Sequence, residues 1–234
     1  MKIEIYPKKI LVTLCVVIFA LMLLNLLGIV SKFGFDHDYV YGLVPLFDFD
    51  TEKNIPTFFS ACMLMLSSAI LATITHIYRR GGEAFIAWGG LSIIFVFLSI
   101  DEIASIHERF IEPVRTLLNV SGLLFYAWVI PYGLALAVFM VLYLEFLLNL
   151  PEKIMRLFLL SGGIYVSGAL GVELLGGRHV SLYGADNYGY ALFCTVEETL
   201  EMVGISLFIY TLLRHMVERF SFFTISVVGV KHPG

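Results

Sequence analysis

Apolar residues run along the chain in long blocks. A helix needs about 20 of them to cross about 30 Å of hydrocarbon at a rise of about 1.5 Å per residue. Six such blocks can be placed, at 10–31, 57–78, 85–107, 123–147, 155–176 and 189–212. The pattern predicts an all-α polytopic membrane bundle of about six transmembrane helices, with residues 1–220 as one transmembrane domain. The last stretch, SFFTISVVGVKHPG at 221–234, is too short to span again and is expected to form an interfacial C-terminal tail. The first block follows Lys2, Lys8 and Lys9, is longer than a signal-peptide core and has no A-x-A pattern after it, so it reads as a retained helix.

Composition agrees. The chain is 59% hydrophobic and 15% charged with mean hydropathy +0.89, whereas a soluble domain is about 25% charged. The net charge of −4 is not offset by any basic run that could follow a phosphate backbone, which excludes nucleic acid as a partner and leaves the lipid bilayer as the surroundings. Cys15, Cys62 and Cys194 sit in apolar stretches without CxxC spacing and read as packing residues. With the N-terminus in the cytoplasm, the inner segments hold ten Lys and Arg and the outer segments five: Lys32, Lys53, Arg109, Arg115 and Arg178. That bias places both termini in the cytoplasm.

The first outer loop, SKFGFDHDYVYGLVPLFDFDTEKNIP, is aromatic and acidic. It reads either as an interfacial loop with solvated acids or as a lid over an outer site. In the fifth block Gly163, Ser167 and Gly171 are spaced four apart, a stripe of small residues that permits close helix approach.

The candidate chemistry is a set of acids at one depth. Asp101 falls sixteen residues beyond Phe85, or about 24 Å along the helix, still in the outer part of the core. On a continuous helix Asp101, Ser105 and Glu108 form one stripe flanked by Glu102 and His107. Glu173 and His179 fall near the outer end of the fifth span, and Glu197, Glu198 and Glu201 in the first third of the sixth. Carboxylates crowded together must be protonated, paired with Arg109 or Arg178, or neutralised by a bound cation. Intramembrane ionisable groups facing a bundle interior are functional candidates.

Asp101, His107, Glu108, Glu173, Glu198 and Glu201 are therefore the candidate metal ligands, with Glu102, Glu197 and His179 around them. An oxygen-rich set with one imidazole suits a divalent ion such as Mg²⁺, Mn²⁺, Ca²⁺ or iron, and zinc if His107 and His179 both reach it. No nucleotide or haem motif is present. The E-x-x-H pattern of helical di-iron bundles is absent, since Glu102 and His107 are five apart. The H-x-x-x-H pair of alkaline-ceramidase and adiponectin-receptor hydrolases is absent too, and His76 and His215 fall at the cytoplasmic face, beside Arg79, Arg80 and Arg214. SIDE and TVEE look alike, but both fall in the outer half, where an inverted repeat would put one on each side.

The blocks LFDFDTEKNIPTFFS, FLSIDEIASIHE and TVEETLEMVG resemble a family of uncharacterised six-span bacterial membrane proteins. The resemblance covers most of the chain; it implies a multi-pass bacterial inner-membrane location and no activity. Three uses fit the acidic set. A metal-bound water could attack a lipid-derived ester or amide, the acids could carry protons or cations in transport, or the chain could be an accessory subunit docking another membrane protein.

Overall fold

The computed structural model describes residues 4–220, so the expected interfacial tail at 221–234 lies outside the described residues. The chain folds as α1 (Pro7–Phe35), α2 (Leu43–Phe47), α3 (Ile55–Arg80), α4 (Ile86–Ala104), α5 (Ile111–Leu118), α6 (Val129–Leu148), α7 (Glu152–Val166), α8 (Glu173–Tyr183) and α9 (Tyr188–Arg219). A π-helical stretch, Ser167–Val172, joins α7 to α8 as one 32-residue rod. The described residues contain no strand, and the all-α expectation is met.

Five elements are long and apolar enough to cross a membrane: α1, α3, α4, α6 and the α7–α8 rod. The chain is therefore a membrane protein. The sixth expected block, α9, has the length at 32 residues but is interrupted by Glu197, Glu198 and Glu201. Its position accounts for this composition. α9 packs against α1, α3, α7 and the π segment, with Met202, Ile209 and Leu212 fully enclosed beside the buried polar Ser206 and Thr211. A helix wrapped by other helices need not be apolar on every face, because protein groups rather than lipid meet its polar atoms.

Local sequence sets the ends nearest the acids. Asn54 caps α3 by accepting from the Thr57 N–H at 3.1 Å, with Pro56 in the first turn. Asn187 caps α9 by accepting from the Tyr190 N–H at 3.0 Å. Inside the bundle Asn25 of α1, 2% exposed, donates to Thr195 Oγ1 at 2.8 Å and accepts from the Phe49 N–H at 3.1 Å, tying α1 to α9 and to the loop before α3. Asn25→Leu strands the Phe49 N–H and should cost about 1–3 kcal/mol, read as a lowered thermal midpoint in detergent.

Several expectations are corrected. The third block does not continue to 107: α4 ends at Ala104, Ser105 takes a left-handed conformation (φ 50°), and His107–Phe110 is a 3-10 turn. The Asp101 side chain drives the break by accepting the His107 N–H, offering the backbone a partner outside the helix ladder. The fourth block starts later, at Val129, because Phe125 and Tyr126 pack instead on Gly177 of α8. The Gly163–Ser167–Gly171 stripe is not the contact surface. Added Cβ atoms at Gly163 and Gly171 would meet nothing within 4 Å, whereas one at Gly168 would lie 2.7 Å from the Glu197 carbonyl oxygen. The π stretch takes more than 3.6 residues per turn and so rotates the face the four-residue spacing assumes. His215 is no interfacial residue: it is 2% exposed, stacked on Trp88, with Nε2 3.1 Å from the Tyr78 hydroxyl. Of the three cysteines, Cys194 is buried, while Cys15 and Cys62 are exposed on the bundle's outer surface.

Candidate metal centre

Three ligand atoms, one each from Glu52, His107 and Glu108, lie within 4.8 Å of one another. Among the described residues this is the one group of three such side chains with that spacing. Glu52 comes from the connector before α3, His107 and Glu108 from the turn after α4. Each segment is set by a non-glycine residue in the left-handed region, Lys53 (φ 65°) beside Glu52 and Ser105 (φ 50°) before His107. Such backbone strain persists where surrounding contacts over-determine it, as at many ligand-holding sites.

Asp101 does not stand beside these three as an equal. It is 5% exposed, and its carboxylate accepts the His107 N–H at 2.8 Å and the Tyr132 hydroxyl at 3.2 Å while lying 3.4 Å from His107 Nδ1. Nδ1 is the ring nitrogen that faces the Asp101 carboxylate, which leaves Nε2 for a metal, the carboxylate–histidine arrangement of metal ligands. Trp128 packs on the imidazole, ring centroids 4.8 Å apart, and Tyr132 lies edge-on beside both rings, 6.4 Å from His107 and 5.2 Å from Trp128. Burial works against a charged His107, but the hydrogen bond and charge of Asp101 outweigh it and hold its pKa above the usual range.

Glu52 has a buried oxygen, Oε2, with no hydrogen-bond partner. Burial, reinforced by the nearby charge of Glu108, pushes its carboxyl up to about 7. A carboxylate that is crowded by another acid and lacks a donor is poorly satisfied by protein alone.

The remaining acids lie behind this trio. Glu102 is within range of the charges of Glu198, Glu52 and Asp101. Glu198 in turn faces Glu201, Glu52 and Glu173, and Glu201 faces Glu102 and Glu173. Glu197 neighbours Glu173, Glu198 and Glu201. Glu173 accepts the indole N–H of Trp128 at 2.7 Å, so one aromatic residue touches both the histidine and the deeper acids. His179 stands apart: its Nε2 lies 2.8 Å from Asn187 Oδ1, and it packs on Tyr183 and Phe193. The two-imidazole condition for zinc is therefore not met. Among the described residues no ion pair joins Arg109 or Arg178 to any of these acids; the pairs are Lys32–Asp186, Arg115–Glu112, Arg156–Glu152, Arg214–Glu218 and Arg219–Glu83 besides His107–Asp101.

Glu52, Trp128 and Tyr132 were not singled out by sequence. Glu52 was one of several acids in a loop read mainly as interfacial, and its position two residues before a capping Asn-Ile-Pro was the available signal. The two aromatics are ordinary interfacial residues by pattern.

A family model described as a domain of unknown function, DUF8692, matches residues 10–216. The chain belongs to that family. The match spans both segments that carry Glu52, His107 and Glu108 and all of the acids behind them. No curated protein and no solved structure matches this member of DUF8692.

Proposed function

We propose that this DUF8692 member is a six-span bacterial inner-membrane protein that binds a divalent cation at its periplasmic end. α9 counts as the sixth span, and the Lys and Arg bias sets the orientation. Glu52, His107 and Glu108 are the ligands, and Asp101 orients His107. The observation that carries this reading is the convergence of the three ligand atoms within 4.8 Å around a histidine already held by a carboxylate. Two carboxylates and one imidazole suit Mn²⁺, Fe²⁺ or Mg²⁺.

Three protein ligands leave coordination positions for water or substrate, as catalytic sites do. When bound, such an ion would acidify a water or polarise an ester oxygen. The chain's own part is to hold the ion at one end of the bundle and to supply proton acceptors close by, with Glu102 and Glu198 both in electrostatic reach of Glu52. A route through the bundle is the weaker reading: α9 and the α7–α8 rod cross closely at Gly168 and Gly204, where added Cβ atoms would lie 2.7 Å from backbone of the facing helix, so no path runs between these two helices at that crossing.

Elemental analysis of detergent-purified protein, beside His107→Gln/Glu108→Gln, tests the reading. Near-stoichiometric metal that the variant loses supports it; no retained metal, and no Mn²⁺ uptake by wild type at neutral pH, overturns it. Protons compete at the same atoms. Because Glu52 titrates at about 7 and His107 holds its proton more tightly than usual, both must lose protons to bind. Mn²⁺ affinity should rise with pH through 7 and fall on acidification, with proton release on binding, measured by calorimetry in buffers of different ionisation enthalpy.

A further inference from the structure

α5 follows the ligands directly. Ile111, Val114, Leu117 and Leu118 fall within an arc of about 120° at about 100° per residue, and Glu112, Arg115 and Thr116 take the other side. None of the eight residues of α5 is buried. Leu117 is 82% exposed and Leu118 49%, and the element the helix packs on most is the His107–Phe110 turn that precedes it. Two spanning helices tether it, α4 ending at Ala104 and α6 beginning at Val129. With six residues between Ala104 and Ile111, it cannot stray more than about 25 Å from the end of α4.

An amphipathic helix pinned at the end of two spans has the bilayer interface beside it, and its apolar side fits the boundary of headgroups and acyl chains. Between that helix and the ligands sits Arg109, exposed and, among the described residues, without a carboxylate partner. Arg115 is already engaged, by Glu112 and by the ring of Phe125 at 4.5 Å. A free guanidinium one residue from a metal ligand completes an anion site: the cation offers open positions for a hard oxygen, and the planar fork matches phosphate.

We propose that the site takes the phosphate group of an outer-leaflet phospholipid, held between the bound cation and Arg109, with α5 lying in the interface beside it. This rests on the cation reading of the same site. The shared chemistry, a phosphate ester, can also come from solution; the apolar side of α5 selects the lipid.

Electron paramagnetic resonance counts free Mn²⁺ directly and so measures its affinity for the full chain in dodecylmaltoside. The titration is run alone, with phosphatidylglycerol, with phosphatidylcholine, and with soluble glycerol 3-phosphate at the same concentration. Phosphatidylglycerol should tighten Mn²⁺ binding about tenfold, the equivalent of about 1.4 kcal/mol of coupling, and soluble glycerol phosphate should do much less. Arg109→Gln should remove most of the lipid-dependent gain. Leu117→Gln/Leu118→Gln, both at exposed positions, should reduce it while leaving chain length and helical content intact. An equal gain from glycerol 3-phosphate overturns the part played by α5 and the lipid. No gain from any phosphate ester, or a gain that Arg109→Gln retains, overturns the proposal while leaving the cation site standing. A change of oligomeric state in the leucine variant with the lipid gain unaltered reassigns the apolar side to a protein contact, which also overturns it. Absence of Mn²⁺ binding in every condition overturns the cation reading itself.

Discussion

His107→Gln is expected to lower Mn²⁺ affinity by about a hundredfold or more, above the range of about 10–100-fold that loss of an orienting partner costs. His107 is the sole nitrogen ligand in the trio, and its ring is fixed by Asp101 at Nδ1 and by Trp128 on its face. Glutamine offers a neutral oxygen on a flexible stem that neither partner can hold. Asp101→Asn should fall at about 10–100-fold. Its amide can still accept from the His107 N–H or the Tyr132 hydroxyl through one oxygen, but it presents an NH₂ where the other carboxylate oxygen faced His107 Nδ1. The imidazole tautomer then has no fixed preference. The two variants differ in a second observable. Trp128 touches His107 and donates to Glu173, so its fluorescence should be quenched by Mn²⁺ in wild type, weakly in Asp101→Asn and not at all in His107→Gln. Quenching that survives in His107→Gln would place the ion elsewhere.

The largest stability effect is expected at Gly204. A Cβ there would lie 2.7 Å from the Tyr165 amide nitrogen and 2.8 Å from its Cβ. These are backbone and near-backbone atoms that cannot swing away, so Gly204→Ala must push α7 off α9. Overpacking of this kind costs about 1–3 kcal/mol, and larger residues cost more. At about 2–4 °C per kcal/mol for a chain of this size, the thermal midpoint should drop by several degrees. Gly163→Ala is the control. Nothing lies within 4 Å of its added Cβ, and alanine is the better helix former by about 1 kcal/mol, so it should leave stability unchanged or slightly raised. Equal losses in both variants would contradict the register of the α7–α9 crossing.

Much of the bundle was legible because hydrophobic length is a strong signal. Blocks of about 20 apolar residues have few other uses, and five of the six expected became helices with spanning character. α9 was legible as a helix for the same reason, although its acids lower its apolarity; they are tolerated because protein, not lipid, surrounds it. Depth also placed Glu102, Glu173, Glu197, Glu198 and Glu201 near one another, as their mutual charges require. Of the trio, His107 and Glu108 were legible as candidate ligands, but their grouping with Glu52 was not. Periodicity assumes an unbroken helix, and Ser105 breaks it, moving Glu108 off the stripe expected to continue from Asp101 and His107 off its flank. Glu52 reaches the site through a left-handed Lys53 that no spacing rule anticipates. The glycine stripe failed for a related reason, since a π stretch changes the residue count per turn where it matters.

The ligands belong to two connectors, one ending the α1–α3 hairpin and the other leading from α4 into α5. A filled site would staple together loops some 55 positions apart, whereas in an unfilled one the charges of Glu52 and Glu108 push against each other. Occupancy would then set how tightly these two loops are held to each other. Proteases admitted to that side should cut near Lys53 and Arg109 readily in chelator and slowly in Mn²⁺, so that a gel would report the ion without any spectroscopy.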